Sequence, residues 1–174
     1  MPNGIIVFGA NGCGKTTLGF ELARRLNMKH LDVENYYFEE SEIPYSKPRS
    51  KDTVIERMLV DIKRCDSFVL SAVTGDYGDQ ISSMYKLGVF LSVPVHIRLE
   101  RVERRSLERY GERVLVGGDM YEKEQGFLEF VKTRDLSAID EWAKTLTCPI
   151  LHLDGTKAVP ENIQLIIERY NRTK

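Results

Sequence analysis

Gly9-Ala10-Asn11-Gly12-Cys13-Gly14-Lys15-Thr16 decides how the rest of this chain is read. The run matches G-x-x-x-x-G-K-[ST], and its flanks agree with its letters. Ile5-Ile6-Val7-Phe8 before it is a short apolar run suited to a buried parallel strand. Thr17 to Leu26 after it carries apolar residues at 18, 22, 23 and 26, a helical spacing. Strand, glycine-rich turn and helix therefore follow in the order a phosphate cradle requires. The glycines at 9, 12 and 14 let the backbone bend around phosphate with its N–H groups turned inward. The helix N-terminus adds the positive end of its dipole. In this pattern Lys15 reaches the terminal phosphates, Thr16 ligates Mg²⁺, and the backbone from Asn11 and Cys13 through Thr17 lines the cradle. A nucleoside triphosphate is the expected ligand.

The 174 residues suffice for one domain with a substantial core, and the reading takes 1–174 as that domain. With 42% hydrophobic and 29% charged residues, the composition is that of an ordinary soluble protein. A net charge of −1 provides no basic field, so nucleic acid is not an expected partner. The three cysteines, Cys13, Cys65 and Cys148, are odd in number and show no metal-ligand spacing. A disulfide at Cys13 would obstruct the cradle, which favours a reducing cytoplasm. The chain enters its first strand almost at once, so no leader is expected. No stretch reaches the ~20 apolar residues of a membrane span.

Apolar runs alternate with helical patterns, which predicts an α/β domain with a parallel sheet. Met28–Asp32 reads as the second strand, residues 50–65 as a helix and Ser67–Val73 as the third strand. A helix over 80–91 and a fourth strand at Val95–Leu99 are expected next. An arginine-rich helix, a loop around Gly117-Gly118-Asp119 and a helix to about Lys144 follow. Pro149–Leu153 reads as the fifth strand and Val159–Tyr170 as the closing helix. Two segments stand outside this alternation. One is Glu34–Lys47, polar and aromatic, with Pro44 and Pro48, which with the helix after it forms a substrate-binding segment of about 34–64. The other, about 101–134, is dense in arginine. Ligands of open α/β sheets bind beyond the carboxyl ends of the strands, so both segments are candidates to close over substrates.

Phosphoryl transfer needs alignment, Mg²⁺ and positive charge where negative charge develops. Asp32, at the end of the second strand, is placed to organise Mg²⁺ or to take a proton from an attacking hydroxyl; the same residue type also caps turns. Glu34 is near enough to share the task. Asp76, flanked by Gly75 and Gly78, reads either as a second metal-organising group or as an ordinary turn. Six arginines lie between Arg98 and Arg113. Arg101, Arg105 and Arg109 share one helical face. Arg105, Arg109 and Arg113 read as a mobile basic lid, Arg134 as a lesser member of the group, and Arg98 and Arg104 as solvated residues. Arg49 and Arg57 are candidates to hold an anionic group on the acceptor; the alternative is that neither does, Arg57 being a surface residue of its helix. Tyr36, Tyr37 and Phe38 either stack on a substrate ring or simply pack. His30, His96 and His152, each read as within a strand, are not spaced as metal ligands.

On these residues the chain resembles the small P-loop kinases grouped around adenylate kinase, shikimate kinase and gluconate kinase. The resemblance rests on Gly9–Thr16, Leu31-Asp32-Val33-Glu34, Thr74-Gly75-Asp76, the arginines of 101–113 and Asp154-Gly155-Thr156. It implies a three-layer P-loop NTPase fold: five parallel strands in the order 2-3-1-4-5, helices on both faces, a substrate segment after strand two and a lid after strand four. It further implies that Asp32 orders the metal or acts as base, that Arg109 and Thr156 flank the adenine, and that Arg105 or Arg113 closes on the transferred phosphate. Two departures are visible: Glu34 stands where shikimate kinases have a second aspartate, and Thr74-Gly75-Asp76 replaces their triple glycine. The expected activity is transfer of the γ-phosphoryl of ATP, with Mg²⁺, to a small acceptor bound by Glu34, Tyr37, Arg49, Arg57, Gly75 and Asp76. The competing expectation is a regulatory ATPase with no acceptor. ATP over GTP follows from the resemblance, since no Asn-Lys-x-Asp motif occurs.

Overall fold

The computed structural model describes residues 1–42 and 46–173; Pro44 lies outside them. Its centre is a five-stranded parallel sheet in the order β2-β3-β1-β4-β5, as the resemblance implies. The strands are β1 (Asn3–Phe8), β2 (Lys29–Asp32), β3 (Ser67–Ala72), β4 (Tyr85–Ser92) and β5 (Ile150–Asp154). The longer helices are α1 (Lys15–Leu26), α3 (Lys51–Ile62), α5 (Val95–Tyr110), α6 (Tyr121–Thr133) and α8 (Val159–Asn171). Shorter ones are α2 (Glu34–Tyr37), α4 (Asp79–Ser82) and α7 (Ser137–Ala143), with a 3₁₀ turn at Gly111–Val114.

β1 sits between β3 and β4, and Ile5 to Phe8 are completely buried. Because side chains alternate along a strand, β1 feeds two separate cores. Ile6 and Phe8 join Phe68, Leu70, Val54 and Met58 under α3. Ile5 and Val7 join Leu18, Leu22, Val89 and Ile166 under α1 and α8. Phe8 stacks on Phe90 and takes the edge of Trp142 from α7, each at 5.0 Å between centroids. The result is three layers, helix on sheet on helix.

α1 lies close to β3 because it carries Gly19 there. A Cβ at that position would collide with Ser71 Oγ and stand 3.0 Å from His30 Nε2. Ser71 Oγ donates to the Lys15 carbonyl at 3.1 Å and pairs with His30 Nε2 at 3.0 Å. The start of α1 is thereby fixed to the ends of β2 and β3.

The structure corrects one stretch of the sequence reading. The fourth strand is Tyr85–Ser92, not Val95–Leu99, and the helix expected over 80–91 is only the single turn of α4. Val95–Leu99, with His96, is instead the first turn of α5, which starts directly after Pro94. Proline is well suited to a helix start, having no N–H to leave unpaired. The buried stripe Arg98, Val102, Ser106 then continues at helical spacing without a break. The helix expected to reach Lys144 is in fact two, α6 and α7. The three cysteines are free thiols. Among the described residues no helix is long and apolar enough to cross a membrane.

Candidate active site

The loop between β1 and α1 bends as its glycines allow. Gly12 has φ 81°, and a Cβ there would meet the Arg98 carbonyl oxygen at 2.6 Å, so only glycine fits. Gly14 caps α1, and no side chain caps the amides of the helix's first turn. Those amides have no intrahelical partner and carry the positive end of the dipole. The loop carbonyls, in contrast, are turned outward onto cations. Lys15 Nζ donates to Ala10 O at 2.9 Å, Arg98 Nη1 to Asn11 O at 3.2 Å, and Arg101 Nη1 to Cys13 O at 3.3 Å. Arg101 Nη2 also reaches Gly155 O at 3.0 Å, tying the loop to the turn after β5. The Cys13 side chain, 1% exposed, packs in the core beneath.

Above the loop lies a cavity of about 920 Å³. Its floor is Asn11 to Thr17. Thr16 Oγ1 donates to Asp32 Oδ2 at 2.7 Å, so β2 delivers its terminal acid to the first turn of α1. The other Asp32 oxygen, Oδ1, accepts the Glu34 N–H at 3.0 Å, which turns the chain into α2. Both oxygens of Asp32 are thus held in place. Thr16 and Asp32 are hard oxygen donors side by side, the kind of small protein set that suits Mg²⁺, which keeps most of its shell for phosphate and water. Among the described residues no cluster of three or more His, Cys, Asp or Glu is arranged to hold a metal by protein alone.

The other sequence-predicted residues divide cleanly. Glu34, Tyr37, Arg105 and Arg109 line the cavity with the loop residues. Gly9, Arg49, Arg57, Gly75, Asp76, Arg113 and Thr156 do not. Gly9 sits beneath the floor, against the Leu91 backbone. Arg49 donates to the carbonyls of Tyr36 and Phe38 and lies 3.8 Å from Glu39, bracing the segment after α2. Arg57 is on the exposed side of α3. Gly75 packs under Trp142 and accepts a hydrogen bond from the Tyr85 hydroxyl. Asp76 is exposed and pairs with Lys51 at 2.9 Å. Arg113 is clamped to Asp119 by two hydrogen bonds of 2.9 and 2.8 Å. Thr156 gives its N–H and hydroxyl to Asp154 Oδ1 at 2.8 and 2.6 Å, holding that carboxyl below its ordinary range.

Some expectations reverse. Arg98, read as solvated, is 5% exposed and also donates to Val93 O at 3.2 Å. Arg134, read as a lesser lid residue, donates to Asn11 Oδ1 at 2.9 Å and sits 5.3 Å from the Phe130 ring. Burial lowers its pKa. Arg104 lines the cavity, though it is exposed and loosely paired with Glu108 at 3.9 Å. Tyr36 packs and donates to Asp61 at 2.7 Å. Thr74, from the turn on which the resemblance rests, lines the cavity, and Tyr77, Lys123, Glu124 and Phe127 do so without having been singled out. Their one sequence signal was position, after β3 and on the helix following the arginine-rich one.

A parallel 2-3-1-4-5 sheet with its phosphate loop between β1 and α1 is the fold of the small P-loop kinases. The chain belongs to the family described as "AAA domain", whose model matches residues 5–126. It is 32% identical over 176 residues to "Uncharacterized protein YqaC" of Bacillus subtilis (strain 168), with 97% of each chain covered. In fold it is similar to a gluconokinase from Sinorhizobium meliloti 1021, at TM-score 0.57 and 16% identity over 98% of this chain and 93% of that one. It is likewise similar to shikimate kinase from Acinetobacter baumannii in complex with shikimate, at TM-score 0.58 and 19% identity over 100% and 96% of the two chains.

Proposed function

We propose that the protein is a cytosolic phosphotransferase that moves the γ-phosphoryl group of ATP to a hydroxyl of a small acceptor. The observation that carries this is the 2.7 Å bond between Thr16 Oγ1 and Asp32 Oδ2 at the foot of the cavity. It joins the start of α1, just after the phosphate loop, to the acid that ends β2. Mg²⁺, held by Thr16 and the Asp32 carboxylate, would supply charge neutralisation for the polyphosphate. The uncapped amides of α1 and Lys15 bind the phosphates, while Arg101, Arg105 and Arg109 line the side where their charge must be balanced. The acceptor oxygen bonds to the γ-phosphorus as the β–γ bridge breaks, and ADP leaves with that electron pair. With the Asp32 carboxylate committed to Thr16, the Glu34 N–H and the metal, the carboxylate left on the acceptor side to take the hydroxyl proton is Glu34.

The test is ADP release from the full chain with ATP and Mg²⁺, against pooled nucleosides, nucleotides, sugars and hydroxy acids. At least one pool should raise the rate, and Lys15→Ala should abolish the rise. Stimulation by none, with basal turnover unchanged in Lys15→Ala, overturns the reading in favour of a nucleotide-binding regulator.

A further inference from the structure

The cations of the cavity lining are gathered on one side of β1, while acids line both. Apart from Lys15, every lysine and arginine in it comes from α5, α6 with its C-cap Arg134, or the turn between β5 and α8. The lining supplied by β2, β3 and the segments after them holds two acids, Asp32 and Glu34, and three rings, Tyr37, Phe38 and Tyr77. Among the described residues that flank contributes no lysine or arginine to the cavity. The two arginines whose position offered an anion anchor there are used or placed elsewhere. Arg49 is spent on the carbonyls of Tyr36 and Phe38, and Arg57 stands on the exposed side of α3.

We infer that the acceptor is an uncharged hydroxyl compound with a flat ring, and not a carboxylate or phosphate ester; this rests on the phosphotransferase reading above. An anionic acceptor on the β2–β3 flank would be desolvated beside two carboxylates where, among the described residues, the flank offers the cavity no lysine or arginine, which is costly on both counts. A neutral ring meets the opposite conditions. Tyr37 and Phe38 present rings with centroids 6.4 Å apart and planes at 45°, a surface for apolar and ring contact. Tyr77 is 5% exposed, and among the described residues none hydrogen-bonds its phenol. Burial, with Asp76 and Asp32 nearby, pushes that phenol's pKa up, so the group remains a protonated donor. Tyr77 lines the cavity, so a phenol with no protein partner there is available to a ligand acceptor atom. The Glu34 carboxylate complements it by accepting from a ligand O–H or N–H.

Matched pairs test the charge directly: nucleosides against their 5′-monophosphates, and aromatic alcohols against hydroxy acids on the same ring. ADP release by the full chain is measured with ATP and Mg²⁺. The expected result is stimulation by a neutral member, with its anionic partner at least about tenfold poorer in kcat/KM. For that neutral compound, Tyr77→Phe should raise KM about fivefold, one hydrogen bond's worth, and leave kcat within about twofold. An anionic member that matches or beats its neutral partner overturns the inference and leaves the phosphotransferase reading standing. An unchanged KM in Tyr77→Phe overturns the assigned contact. Stimulation by no member, while a sugar pool raises the rate, overturns the inference alone; stimulation by no member and by no pool, while ATP still binds, removes the reading beneath it as well.

Discussion

Arg98 Nη1 donates to the backbone carbonyl of Asn11 at 3.2 Å, so a buried guanidinium from α5 holds the crest of the phosphate loop. Its Nε donates to Val93 O, which fixes the same group to the end of β4. One side chain thus sets the distance between the loop and the helix that carries the cavity's arginines. Arg98→Leu leaves two carbonyls without their donor, and the protein should lose about 1–3 kcal/mol of stability. Urea unfolding measures this, and an unchanged midpoint would show the contacts to be dispensable.

Asp32→Asn retains the size of the side chain and removes its charge. Turnover should fall by about 10²–10³-fold, while the ATP dissociation constant stays within about threefold. Steady-state ADP release and a fluorescent-nucleotide titration separate the two quantities. Near-normal turnover would reduce Asp32 to the turn-forming role its bond to the Glu34 N–H already shows.

Arg134 and Arg113 exchange the ranks their sequence positions suggest. Arg134→Ala, which removes the bond to Asn11 Oδ1, should weaken ATP binding about tenfold. Arg113→Ala breaks only an exposed pair with Asp119 and should change binding less than about twofold. A titration that returns the reverse order would put Arg113 in the site.

Gly19→Ala tests the close approach of α1 to β3. The added methyl collides with Ser71 Oγ, and overpacking of this kind costs about 1–3 kcal/mol. The thermal midpoint should fall by several degrees, about 2–4 °C for each kcal/mol. A midpoint at or above that of the unmodified chain would mean that the helix simply moves aside.

His30 is half-buried, and desolvation lowers its pKa below 6.5, the nearby Asp32 opposing this only in part. The unfolded chain therefore binds the proton more readily than the folded one. The stabilising contribution is complete above 6.5 and is lost as pH falls through that value toward the lowered folded pKa. The urea midpoint should be lower at about pH 5 than at about pH 7.5, with the difference smaller in His30→Asn. Asp119, Asp135 and Asp154 have carboxyls held below 3.8, so their share of acid sensitivity lies further down.

The phosphate loop was legible because its meaning is local: strand, turn and helix are contiguous, and Gly12 and Lys15 act within a few residues of their position. Asp32 was legible because a strand end fixes its neighbourhood. The fourth strand was not, since short apolar runs such as Val95–Leu99 suit a strand and a buried helix equally. Pro94 was the available sign, and the buried Arg98 shows why hydrophobicity alone misled: a polar group occupies the core-facing stripe of α5. Arg49 and Arg113 show a different limit. Their charge lay in the right segments, but which partner consumes a guanidinium's donors is decided by tertiary contacts that spacing does not encode.

Apart from Lys15, the cavity's cations all come from beyond β4, which makes the two flanks of the cavity independent modules. A swap of the stretch from Val33 to Ser50 for another acceptor-facing sequence leaves Arg98, Arg101 and Arg134 in contact with the loop, since all three come from beyond β4. On the proposed phosphotransferase activity, the fuel in such a chimera is handled as before while the cargo changes. Divergence within this architecture can therefore proceed on one edge of the sheet at a time.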